Sequence, residues 1–150
     1  MNVAEVLSKD RILLGLSAKT RDEAISKMVD TLYDGGVLTD KKAFTDDVLA
    51  RESVCATGIG NGIAIPHGKS ANVKETAVIV ARLEDAVEWE SVDDEPVKFV
   101  VLLAVNENDK GSSHVRLLSQ MARKLASAET CRRLLDAKDA QEVVSIFSEE

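Results

Sequence analysis

The chain has 150 residues, 45% apolar and 30% charged, enough to bury a real core in an ordinary globular protein. A formal net charge of −7 and an aromatic content of 3% argue against nucleic-acid partners, which call for clustered Lys and Arg and for stacking rings. No apolar run reaches the roughly 18 to 20 residues needed to cross a bilayer, which excludes a membrane-spanning helix.

Residues 1–5 lack the basic and then apolar layout of a signal peptide. Cys55 and Cys131 are too few and too far apart for a disulfide framework or a metal clip, so a reduced, cytoplasmic protein is expected. A short helix is predicted over residues 3–9, and Ile12-Leu13-Leu14-Gly15-Leu16 reads as a first strand. Thr20 and Glu23 have capping-box spacing, and Ala24, Ile25, Met28, Val29, Leu32 and Tyr33 then recur on one helical face until Gly35-Gly36. A second helix starts near Thr39 or Asp40 and runs to about Glu52, burying Phe44 and Val48. Arg51, three residues beyond Val48, comes round to the same side at the helix end, where the dipole alone would favour a cation.

Next comes Thr57-Gly58-Ile59-Gly60-Asn61-Gly62-Ile63-Ala64-Ile65-Pro66-His67-Gly68-Lys69. Its order predicts a glycine-rich turn, a brief strand, and an abrupt loop with the imidazole of His67 at its tip. Residues 76–83 form a buried strand. The acidic segment 84–95, carrying Trp89, is expected to be a surface connection with one short edge piece around 87–89. Residues 97–105 are the most hydrophobic run, and their β-branched content predicts a central strand. After a polar loop at 106–111, Ser112 or Ser113 can cap a helix carrying Val115, Leu117, Leu118, Met121, Ala122 and Leu125. Two short helices, around 130–137 and 139–147, finish the chain. Strands mixed with helices on this scale imply an α/β sheet covered on both faces, and one domain over residues 1–150.

The glycines Gly58, Gly60 and Gly62 lack dinucleotide spacing and lead into a strand, and no Gly-Lys-Ser/Thr closes a phosphate loop, so no nucleotide cofactor is expected. Two histidines and two cysteines without short spacing make a weak metal site, and no Gly-x-Ser-x-Gly elbow marks a hydrolase. The imidazole itself remains as the reacting group, since a neutral ring near pH 7 offers a nucleophilic nitrogen. Pro66 fixes the chain direction before it, and Gly68 after it leaves room for a bulky partner. His114 falls in the first turn of a predicted helix, where free N–H groups and the dipole favour an anion and a neutral ring. There it could donate to a phosphoryl oxygen while Arg51 supplies positive charge. It could equally cap its helix or pack on Leu117 and Leu118, and sequence does not place it beside His67.

Glu52, six residues, and then Ile59-Gly60-x-x-Ile63-Ala64-Ile65-Pro66-His67-Gly68 resemble the phosphorylation-site signature of the fructose/mannitol class of enzyme IIA, EIIA type 2. These are domains of the bacterial phosphoenolpyruvate-dependent sugar phosphotransferase system, and the resemblance extends over the chain. It implies a three-layer α/β fold with a mixed, about five-stranded sheet. It also implies that His67 takes a phosphoryl group from the phosphocarrier HPr, through Nε2, and passes it to a cysteine of a sugar-specific EIIB. Arg51 and His114 match positions that flank and stabilise the phosphohistidine. Neither cofactor nor metal is required, and the membrane is met only through the permease complex. Ile59, Ile63 and Ile65 are candidates for an apolar docking rim. A nitrogen-regulatory branch looks similar around residues 57–69 and binds regulatory targets instead. The segments around 87–97 and Ala104-Val105-Asn106-Glu107 look closer to the fructose branch.

Overall fold

The two longest apolar runs of the chain lie side by side at the centre of the sheet. In the computed structural model, which describes residues 6–108 and 113–149, β5 (Ala77–Val87) pairs antiparallel with β6 (Val97–Asn106). β1 (Ile12–Leu16) lies parallel to β5 on its far side. On the other side of β6 lie β3 (Ile63–Ala64) and β4 (His67–Ser70), both parallel to it, and β2 (Gly58–Gly60) closes the edge antiparallel to β3. The mixed sheet thus has six strands where about five were expected, because the glycine-rich stretch breaks into three short pieces.

Side chains alternate across a strand, and each face of the sheet collects its own core. Ile79, Ala81, Val100, Leu102 and Ala104 pack under α1 (Arg21–Asp34) and α2 (Lys41–Val54). Val78, Val80, Phe99, Val101, Leu103 and Val105 pack under α3 (Ser113–Leu125), α4 (Ala128–Asp136) and α5 (Ala140–Ser148). The result is the three-layer α/β architecture that strand and helix order imply. Four helix starts are capped by side chains: Thr20 accepts from the Glu23 N–H, Asp40 from Ala43, Ser127 from Thr130 and Asp139 from Glu142. Each satisfies an N–H that the helix leaves without a partner. Among the described residues no helix is long and apolar enough to cross a membrane.

Three expectations change. Residues 7 and 8 are not helical, and the segment instead makes a 3-10 turn at Lys9–Arg11; residues 3–5 of that predicted helix lie outside the described residues. β5 does not stop at Leu83 but continues through Glu84 and Asp85 to pair Val87 with Val97, so a third of the supposed acidic connection is strand. Polarity misled there, because a strand running past its helical cover can face water and keep its ladder. Trp89, expected in a surface connection, is buried. Of the predicted loop at 106–111, Asn106 closes β6 and residues 109–111 lie outside the described residues, as does Ser112 as a cap.

The pairing that places His67 is a single parallel ladder with a gap. Ile63 faces Phe99 and His67 faces Leu103, the same offset of 36 positions on both sides of Ile65-Pro66. Proline has no N–H for the ladder, but its carbonyl still accepts from the Leu103 N–H at 3.0 Å. Ile65, whose N–H faces away from β6 in this register, donates to the Thr57 carbonyl at 3.1 Å beside the Gly58–Ala64 pair. His67 is therefore the first residue of a strand on the central β6, and the expected loop tip is not there.

Gly68 serves the interior and not a visiting partner. A Cβ at this position would lie 3.0 Å from Val48 Cγ2 and 3.1 Å from Phe44 Cε1, so α2 packs directly onto the backbone of β4. Gly68→Ala should lower stability by about 1–3 kcal/mol, the usual cost of overpacking a filled core. The Val48→Ala background should absorb part of that loss in a double-mutant cycle read from urea unfolding midpoints.

Candidate functional site

The hairpin before the histidine is built by Asn61-Gly62. Both residues take positive φ, 58° and 79°, which is the backbone of a tight two-residue turn between paired strands. An Asn-Gly pair between short apolar strands is a strong hairpin signal, and it was readable in the sequence. The loop after β5 then clasps the hairpin. The Gly60 N–H donates to Ser91 Oγ at 3.1 Å and the Asn61 N–H to Asp93 Oδ2 at 3.0 Å. Gly58 lies so close to this loop that a Cβ would sit 2.6 Å from the Glu90 carbonyl oxygen.

A buried acid joins the same elements from below. Phe44, Val48 and Glu52 follow one another at intervals of four, so the helix stride that buries the first two also buries Glu52, which is 3% exposed. Its carboxylate accepts three hydrogen bonds: from the Thr57 N–H at 2.8 Å, from Thr57 Oγ1 at 2.6 Å and from Trp89 Nε1 at 3.0 Å. A buried carboxylate is costly unless its oxygens are satisfied, and here three donors converge on the two of them. Sequence analysis placed Glu52 in a signature but gave it no task. The signal was an acid standing on the core stride.

His67 is half-buried, and its Nδ1 lies 3.0 Å from the Ile65 carbonyl oxygen. A carbonyl only accepts, so in this bond Nδ1 carries the proton, and in the neutral ring the lone pair belongs to Nε2. His67 lines a cavity of about 350 Å³ together with Arg51, Thr57, Ile59 and Ile65, and α3 supplies Val115, Leu118, Ser119 and Ala122 to the opposite wall. Arg51 and His67, far apart on a linear reading of helix and strand, are thus brought to one cavity. Among the described residues lining it, Arg51 is the one arginine or lysine. Its Nη1 donates to the Cys55 carbonyl at 2.8 Å, at the C-terminus of its own helix, where a cation is favoured.

His114 belongs to the first turn of α3, one residue before Val115 of the cavity wall, and its side chain lies outside what the structure describes. Of the three proposed docking residues, Ile59 and Ile65 line the cavity, although Ile65 is only 5% exposed. Ile63 is a correction: it is completely buried in the core beneath α3, because its place on the ladder beside Phe99 puts it inside the sheet. Val115, expected only as one of the apolar residues carried by this helix, supplies rim surface at 52% exposure. Among the described residues no group of three or more His, Cys, Asp or Glu could hold a metal ion.

Asp93 ties the clasp to pH. Its carboxyl is held below the usual range, chiefly by the Glu95 N–H and then by the Asn61 N–H. A carboxylate with a depressed folded-state pKa contributes stability above its unfolded pKa and loses it as pH falls through the folded value. Asp93→Asn should therefore be less stable than the wild type at neutral pH. The difference should close as pH falls below the ordinary carboxylate range, as urea midpoints measured from pH 7 to pH 3 will report.

With this geometry in hand, three comparisons place the chain. Residues 5–150 match the family described as "Phosphoenolpyruvate-dependent sugar phosphotransferase system, EIIA 2". The chain is 35% identical over 149 residues to the fructose-specific EIIABC component of Bacillus subtilis, covering 99% of this chain and 23% of that one. It is 35% identical over 150 residues to the mannitol-specific enzyme IIA component of Staphylococcus aureus, covering 98% of both. The crystal structure of nitrogen regulatory protein IIA-Ntr from Neisseria meningitidis superposes with a TM-score of 0.90 at 27% identity, covering 97% of this chain and 99% of that one. The chain spans about a quarter of the length of the multidomain relatives it matches, such as the Bacillus protein at 23%. It belongs to the EIIA type 2 family of the phosphoenolpyruvate-dependent sugar phosphotransferase system.

Proposed function

We propose that residues 1–150 act as one IIA domain that accepts a phosphoryl group from phospho-HPr on Nε2 of His67 and passes it to a cysteine of a sugar-specific, fructose-like IIB partner. The observation that carries this reading is the bond between His67 Nδ1 and the Ile65 carbonyl, beside a cavity lined by Arg51. It leaves the Nε2 lone pair as the nucleophile of the neutral ring. A fructose-specific relative whose single chain carries A, B and C components supports a B-type acceptor.

The transfer asks little covalent chemistry of the protein. The Nε2 lone pair attacks phosphorus in line, the bond from phosphorus to its donor breaks, and the phosphoryl group comes to rest on the imidazole. A thiolate then attacks the same phosphorus, and His67 leaves with its electron pair. Catalysis of both steps rests on positioning and on charge placed where the phosphoryl oxygens travel. Arg51 supplies that charge from the C-terminal end of α2. To reach a phosphoryl oxygen its guanidinium can keep or release the Cys55 carbonyl, since that bond uses Nη1 alone among its nitrogens. His114 assists from the start of α3 as a hydrogen-bond donor. Apolar groups of Ile59, Ile65 and Val115 around the cavity form the surface that a partner covers, excluding water from the phosphoryl group in flight. The working location on this reading is the cytoplasm, with the membrane reached through a permease complex.

A second reading keeps the phosphohistidine and gives it a different task, regulation of partner binding. The close superposition on a nitrogen regulatory protein supports it, while the 35% identities to sugar-specific components favour uptake. Complementation separates the two. Sugar phosphorylation restored with a cognate IIB and membrane component supports the first, and phosphorylation-dependent capture of a regulator without restored uptake supports the second.

Incubation with labelled phosphoenolpyruvate, enzyme I and HPr should label the wild type stoichiometrically and leave His67→Ala unlabelled. Label on that variant at wild-type stoichiometry would remove His67 as acceptor. Arg51→Ala and His114→Ala should each fold normally and slow single-turnover transfer by about a hundredfold, in the range seen for loss of one charge-stabilising donor.

A further inference from the structure

We propose that Glu52 is a positioning residue for the reacting imidazole, acting through Thr57 and Ile65 to hold His67 in the tautomer that leaves Nε2 nucleophilic. This rests on the reading of His67 as the phosphoryl acceptor. The path is continuous. Glu52 accepts from both the N–H and the hydroxyl of Thr57. The Thr57 carbonyl accepts from the Ile65 N–H at 3.1 Å, and the Ile65 carbonyl lies 3.0 Å from His67 Nδ1.

Each link matters because of where the hairpin pairing stops. Along the β6 ladder Ile65 faces away from β6, and its N–H makes the pairing bond to Thr57 that flanks Gly58 and Ala64. In a continuing antiparallel pair the Thr57 N–H would take the Ile65 carbonyl in return. The Glu52 carboxylate takes that N–H and the Thr57 hydroxyl instead, which leaves the carbonyl to His67. An acid suits the task better than an amide. Three donors reach its two oxygens, and a glutamine in the same place would turn an NH2 toward at least one of them. Without that grip the Thr57 N–H can turn to the Ile65 carbonyl, Nδ1 loses its acceptor, and the ring proton can move to Nε2, where it blocks attack on phosphorus.

Trp89 supplies the control. It donates to Glu52 Oε2 but stands outside the path to His67. Nitrogen-15 spectra of the imidazole, recorded on the full chain without any phosphoryl donor, read the tautomer directly. With the ring neutral, the wild type should show the Nδ1–H form. Glu52→Gln should shift population to Nε2–H and slow acceptance from phospho-HPr roughly ten- to a hundredfold, with the HPr concentration for half-maximal rate unchanged. Trp89→Phe should lower the melting midpoint and leave tautomer and rate as in the wild type. Thr57→Val, which keeps the N–H and removes the hydroxyl, should shift the tautomer in the same direction by less, and it decides the matter if Glu52→Gln does not fold. A wild-type tautomer in Glu52→Gln, or in Thr57→Val where that variant must stand in, would overturn the proposal. So would an equal shift in Trp89→Phe. Because the spectra need no phosphorylation, failure of the wild type to accept label would sink the proposed function while leaving this test standing.

Discussion

A parallel strand broken by a proline keeps its register only if something else carries the chain across the gap. Along β6 the ladder runs through Ile63 and Ala64, lacks the N–H that Pro66 cannot supply, and resumes at His67 with its offset unchanged. The Pro66 carbonyl stays on the central strand, and the Ile65 N–H crosses to Thr57. The Ile65 carbonyl also faces away from β6, and with the Thr57 N–H taken by Glu52 it meets the imidazole of His67. A regular hairpin would have spent that carbonyl on the Thr57 N–H, and a flexible loop would have left it to water.

The close approaches around that gap explain the local composition. α2 lies against the bare backbone of Gly68, and the Glu90-Ser91 loop lies against the bare backbone of Gly58. Both contacts draw helix, loop and sheet nearer than a side chain would allow, and dispersion and exclusion of water reward that closeness. The glycines that on paper suggested a phosphate cradle are packing surfaces and turn residues. They fix the position of the histidine without touching its chemistry.

The candidate site sits at a seam between layers. Arg51 comes from α2, which covers one face of the sheet, while Val115 and Leu118 come from α3, which covers the other. They meet at the cavity that Ile59 of β2 and His67 of β4 also line. A cation, an imidazole with a backbone carbonyl against its Nδ1 and an apolar rim then share one cavity. Such an arrangement favours brief, reversible possession of an anionic group by a protein that must pass it on. The family to which the chain belongs is built around that task.

Much of the fold was legible because local physics dictates it. Thr20, Asp40 and Asp139 announce helices by their capping, the β-branched run at 97–105 announces a buried strand, and Asn61-Gly62 announces a turn to anyone who weighs it. His67 stood out for a similar reason, since Pro66 and Gly68 frame it in a pattern that a family resemblance recognises. The strand extension past Leu83 and the burial of Ile63 and Trp89 were not, because register and the covering layers decide which residues meet water. Nor could Glu52 declare its partners, which lie 5 and 37 positions away and depend on three segments closing together. By itself the sequence determined most of the elements and singled out His67, through short-range capping, turn and periodicity rules and a framed motif. Tertiary structure alone decided that Arg51 shares its cavity and that a backbone carbonyl lies against its Nδ1, because those are contacts between segments that no local rule brings together.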